Sequence, residues 1–150
     1  MSVTVNDKIW RQLQARLKSA VGAEVSIGVL DGTHSSGVPL PELAAIHEFG
    51  SPANNIPERS FIRSTMRVCR KEFVDQQKKL VKSLLNPSGE HVTTGLDRLG
   101  AYVAKRIRER VRGGEITPSL KPATVSRKGS SVPLIDTGQL VKAIKHKVEK

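Results

Sequence analysis

The sequence predicts an α+β fold, helices packed on a small mixed or antiparallel β-sheet, and three observations carry that expectation. Apolar residues recur at three- and four-residue intervals over 6–20, 62–84 and 94–112, the spacing that draws one stripe down a helix. Two short stretches, 24–30 and 144–148, instead alternate apolar with polar residues, as a half-buried strand does. A chain of 150 residues is also the size of one domain, able to hide roughly 70% of its unfolded surface, so residues 1–150 are read as a single domain.

The first helix is expected from a cap at Asn6 to a stop at Gly22, with Ile9, Leu13, Leu17 and Ala20 as its stripe. Trp10 lies beside that stripe and is expected in the core or in a subunit contact. Val25, Ile27 and Val29 then share one face of a strand that ends at Asp31-Gly32, and the polar run after it reads as an exposed loop. Pro39 and Pro41 suit the entry of a short helix. Gly50 suits its end, and Pro52 blocks continuation. Ile62, Met66, Cys69, Phe73, Leu80 and Leu84 keep helical spacing and predict the longest helix, with Met66 and Cys69 in the core, closed by Asn86-Pro-Ser-Gly89. Thr94 and Asp97 resemble a capping pair for a further helix with the stripe Leu96, Leu99, Val103 and Ile107, stopping at Gly113-Gly114. Residues 113–136 show little periodicity and predict a long basic loop or mobile arm. Thr137 is the expected cap of one short turn through Leu140. Ile144, His146 and Val148 then form a strand antiparallel to 24–30.

Charge is unevenly spread. Residues 1–62 carry 5 Lys+Arg against 6 Asp+Glu, while residues 63–150 carry 20 against 8, and the whole chain has a net charge of +11. Lys105, Arg106, Arg108, Arg110 and Arg112 crowd one helix end, where the backbone dipole favours a cation or two but does not need five. With Arg127 and Lys128 in the following loop they form a candidate basic patch for phosphates or an acidic partner. A solvated, soluble surface is the equally weighted plain reading. Aromatics are only 3%, which argues against base-stacking platforms for single-stranded nucleic acid. The single Cys69 excludes an internal disulfide and a cysteine-built zinc site. With no apolar h-region at the start and no run near 18 apolar residues, neither a signal peptide nor a membrane span is expected.

Catalytic motifs fail on spacing. His47-Glu48 begins a zinc-protease phrase, but Ser51 stands where the second histidine must be. His34, His91 and His146 have no ligand-like spacing. Leu134-Ile-Asp136-Thr137-Gly138 matches the active-site phrase of retroviral-type aspartic proteases, whose fold needs most of its framework after the motif; only 12 residues follow Gly138 here. Asp136-Thr137 makes better sense as a helix cap, with Gly138 allowing close approach of a neighbour. There is no Gly-Lys-Ser or Gly-Lys-Thr phosphate loop. The chain is therefore expected to be no enzyme and to hold no cofactor or metal.

Two phrases carry a resemblance. Ile46-His-Glu48-Phe49-Gly50, followed by Ile56-Pro57-Glu-Arg59-Ser-Phe61-Ile-Arg63, resembles the "hydrophobic, x, Glu-Phe-Gly" and "Pro-x-Arg-x-Phe" words of tail-completion, neck and virion-morphogenesis proteins of long-tailed bacteriophages. Leu120 to Leu140, ending Pro133-Leu-Ile-Asp136-Thr137-Gly138-Gln-Leu140, is similar to that family's closing signature. Together the phrases cover most of residues 43–148. Ser60 departs from the family, in which many relatives have proline, so the entry to the long helix is expected to be less rigid.

The resemblance implies a virion structural protein at the head–tail junction or the head-proximal tail end, assembled in the host cytoplasm. It implies a homo-oligomeric ring around the DNA channel, of six subunits with twelve as the alternative, meeting neck or connector and tail-tube or terminator proteins. In that reading the Glu48-Phe49-Gly50 turn fixes the short helix against the sheet, Phe49 and Phe61 are apolar anchors, and Arg59 pairs with an acid. The loops at 31–38 and 113–136 reach a neighbour. A tail-terminator subunit capping the tube and a basic nucleic-acid-binding module are the alternatives.

Overall fold

A computed structural model describes residues 7–128 and 131–150. The cap expected at Asn6 lies outside them, as do the side chains of Arg127 and Lys128. Seven α-helices among the described residues pack on a two-stranded antiparallel sheet: α1 Asp7–Ala20, β1 Glu24–Val29, α2 Leu40–Phe49, α3 Phe61–Val68, α4 Arg70–Leu85, α5 Val92–Arg112, α6 Pro122–Lys128, α7 Gln139–Lys142 and β2 Ile144–Glu149. A single 3-10 turn, Pro52–Asn54, follows α2.

The strands pair in the register Val25 with Val148, Ile27 with His146 and Val29 with Ile144. The alternating apolar positions of both strands thus share one face, as their period of two requires. Helix α5 lies against the sheet, and Gly100 lets it approach: a Cβ there would meet the His146 ring at 2.7 Å and Val25 Cγ2 at 2.8 Å. Gly95 does the same toward Leu80 of α4. Helix α5 is therefore central, burying Val92, Leu99, Val103, Ala104, Ile107 and Val111. All of these but Val92 join Phe61, Phe73, Leu80 and Ile144 in one continuous core, each large side chain contributing about 1.5–3 kcal/mol of apolar burial.

The long helix expected over 62–84 is two helices joined at Cys69, whose φ of −91° and ψ of 13° leave the α-helical basin. The buried positions are Phe61, Thr65, Cys69 and Phe73. Steps of four overshoot a 3.6-residue turn by about 40° each, so a single straight helix would carry this stripe round its axis, and the break at Cys69 falls within the stripe. Because the buried stripe starts at Phe61 instead of Ile62, Met66 is 43% exposed, contrary to its expected place in the core.

Three boundaries also move. Helix α5 starts at Val92, whose side chain is buried, and Asp97 pairs with His146 Nε2 at 2.9 Å instead of serving a cap with Thr94. The stretch 113–136 is not devoid of structure: Ile116 and Leu134 are buried, and Pro122 opens α6. The cap of α7 falls on Gly138, at φ 74°, one residue beyond Thr137.

Helix α1 buries no residue completely, and Ile9, Trp10 and Leu17 are about half exposed. Trp10 is thus not a core residue. What holds α1 is Arg16, whose guanidinium donates to the carbonyls of Ser83, Leu84, Gly89 and Glu90 at 2.6–3.2 Å. These are carbonyls at and just beyond the C-terminus of α4, where unsatisfied acceptors and the helix dipole both favour a cation.

Candidate functional site

The first phrase is organised around a buried carboxylate. Glu48, 5% exposed at the end of α2, accepts the Ser60 hydroxyl at 2.8 Å, the Ile62 amide at 2.9 Å and the Arg63 amide at 2.9 Å. It thereby satisfies the free amides at the start of α3, which its negative charge also suits. Arg63 Nε donates to Glu48 Oε1 at 3.0 Å and Arg63 Nη2 to the Glu48 carbonyl at 2.8 Å. The Glu-Phe-Gly turn thus fixes α2 chiefly to the start of α3, where the sheet was expected. Ser60 is one of the donors.

Gly50 lies at φ 77°, ψ 172°, a conformation nearly confined to glycine. A Cβ on it would stand 2.8 Å from the Glu58 amide nitrogen. The chain then loops out and returns, with Arg59 N donating to His47 O at 2.8 Å. Phe49 is 63% exposed and is no core anchor; its ring lies 4.5 Å below the Arg63 guanidinium carbon, a cation–π contact at the surface. Phe61, by contrast, is fully buried.

Arg59 meets no acid among the described residues of its own chain. Its partners are neutral: Nε donates to Pro118 O at 2.9 Å and Nη2 to Ser119 O at 3.5 Å. Among the described residues no carboxylate oxygen lies within 4.0 Å of it. The residue is 8% exposed, and burial holds its pKa below the ordinary guanidinium value.

Arg59 lines a groove of about 990 Å³ whose walls come from both phrases. His47, Ile56, Pro57 and Arg59 line it together with Asp136, Thr137, Gly138 and Leu140 and with Pro118 to Lys121. Six of the ten motif residues singled out in the sequence are therefore brought together, while Glu48, Phe49, Gly50 and Phe61 are not part of the lining. Leu43, Ile56, Leu120, Leu134 and Leu140 give the groove an apolar lining. Loop 31–38 folds back beside it, Ser35 N donating to Gln139 Oε1 at 3.1 Å.

The basic run is largely committed inside the chain. Arg106 pairs with Glu72 and Glu109, Arg108 donates to Ile144 O at 2.6 Å, Arg110 pairs with Glu115 at 2.7 Å, and Lys105 stands 3.7 Å from Glu109. Of the five, Arg112 alone has no partner among the described residues. Exposed cations also stand on α3 and α4, at Arg67, Arg70, Lys71, Lys79 and Lys82.

Among the described residues no three His, Cys, Asp or Glu side chains gather in a metal-sized cluster, and no helix is long and apolar enough to cross a membrane. Sequence reasoning missed Arg16, Arg63 and the Pro118–Ser119 carbonyls. Only the first two are charged residues that invite a search for partners; Arg16 meets carbonyls 67–74 residues away, and Arg63 meets Glu48 fifteen residues back as well as the nearer Glu58. Compared with models of known protein families, with curated proteins and with solved structures, the chain finds no match.

Proposed function

We propose that the chain is a structural subunit of a long-tailed bacteriophage or prophage particle, a tail-completion or neck protein that assembles as a ring at the head–tail junction. The observation that carries this reading is the meeting of the two family-like phrases, far apart in sequence, as walls of one open groove. Ring closure needs two complementary patches on each subunit. The groove is one candidate, and the half-exposed apolar stripe of α1, with Ile9, Trp10 and Leu17, is another.

The commitment of Arg106, Arg108 and Arg110 to intramolecular partners favours this reading over a nucleic-acid-binding module. Native mass measurement of the purified chain, alone and mixed with tails lacking their terminal ring, tests it. A closed oligomer of about six copies retained on tails is expected. A monomer at every concentration that never associates with tails overturns it, and tight duplex-DNA binding with a steep salt slope would favour the alternative.

A further inference from the structure

We propose that the groove binds an extended segment of another protein chain through a carboxylate flanked by apolar side chains, with Arg59 as the counter-ion. Arg59 is an arginine of only 8% residue exposure, a place where the charge is normally matched by an acid, and among the described residues its side chain donates to two backbone carbonyls alone. It carries five N–H donors, so these contacts leave most of the fork uncommitted. The residues outside the described set contain no Asp or Glu, so the missing counter-ion is not an undescribed acidic side chain of this chain.

The surroundings select the ligand. Lys121 is exposed at the same groove with no carboxylate within 4.0 Å among the described residues, and Asp136 is the acid in the lining. Leu43, Ile56 and Leu140 offer contacts for apolar neighbours of the carboxylate. The volume of about 990 Å³ is that of a cleft enclosing a small ligand or a short peptide. Duplex DNA fits poorly: its phosphates lie on a convex cylinder and meet protruding cations, whereas Arg59 is recessed in a concave wall with Asp136 nearby. The inference rests on the assembly reading only in taking the carboxylate to be protein-borne.

The test is a titration of the full chain with fluorescently labelled Ala-Leu-Glu-Leu-Ala, capped at both ends, against the same peptide with Gln in place of Glu and against a 20-base-pair duplex. Preference for the Glu peptide by about tenfold is expected, as for a charged hydrogen-bonded pair, with the preference lost in Arg59→Gln. Asp136→Asn is expected to tighten binding severalfold by removing the like charge, and Lys121→Gln to weaken it. These two exposed positions decide the matter if Arg59→Gln fails to fold. Equal binding of the Glu and Gln peptides, no binding of either, or displacement of the Glu peptide by duplex at the Arg59 wall overturns the proposal. Ring formation is read separately by mass, so a failed ring with an intact Glu preference refutes the assembly reading alone.

Discussion

Arg63 grips Glu48 at two points, its Nε on the carboxylate at 3.0 Å and its Nη2 on the main-chain carbonyl at 2.8 Å. The two residues are unequal, since the Glu48 side chain is 6% exposed and that of Arg63 is 53% exposed. Solvent screens the arginine, so the pair's strength lies mainly in the amides and hydroxyl that Glu48 collects. Glu48→Ala orphans those donors and is expected to cost about 2–3 kcal/mol in urea unfolding. Arg63→Ala should cost no more than about 1 kcal/mol. Equal losses would show that the ion pair, and not the capping of α3, carries the stability.

Arg16 is expected to be the fastening of α1. Four carbonyls converge on its guanidinium, while the helix itself buries no residue completely. Arg16→Ala should lower hydrogen-exchange protection of the α1 amides by about tenfold or more, leaving α5 nearly unchanged, because the opening is local. Arg16→Lys should not rescue it, since a single ammonium cannot span four acceptors. Uniform loss of protection across α1 and α5 would contradict this.

Much of the fold was legible in the chain because its signals are local. The period of two in Val25, Ile27, Val29 and in Ile144, His146, Val148 identified both strands and their pairing. Pro41 and Gly50 bracketed α2. The break at Cys69 was not legible, because the 62–84 stripe and the observed one at Phe61, Thr65, Cys69 and Phe73 differ by a single residue at the start. The site was half legible: its words pointed to the right residues, but a charge count cannot tell that Arg110 faces Glu115 or that Arg59 faces carbonyls. Those pairings exist only once the chain is folded.

Gly50 should tolerate no side chain. Its φ of 77° and ψ of 172° are strained for any L-residue, and a Cβ would press on backbone atoms of Ile56 and Glu58. Gly50→Ala is expected to cost about 2–3 kcal/mol and to reduce Glu-peptide binding, because the loop carrying Arg59 must shift. Gly114→Ala is the control: φ is 72°, but nothing lies within 4 Å of the added Cβ. It should cost about 1 kcal/mol. Equal effects would mean that conformation alone, without the crowding, sets the penalty.

Arg106 gathers Glu72 and Glu109, and both carboxyls are held below their ordinary value of 4.5, chiefly by hydrogen bonds from that guanidinium, with the Tyr102 hydroxyl also donating to Glu72. A depressed folded-state pKa means that the unfolded chain binds more protons on the acid side. The stabilisation is therefore complete above pH 4.5 and is lost as pH falls through the lower folded values. Tyr102 runs the other way: Glu72 raises its pKa above 10.0, so its contribution is complete below that pH and is lost as pH rises through the folded value. The urea midpoint should have an acid limb below pH 4.5 that Arg106→Gln flattens and that high salt weakens, since the cluster is solvent-accessible. An acid limb of unchanged slope in Arg106→Gln would place the titrating groups elsewhere.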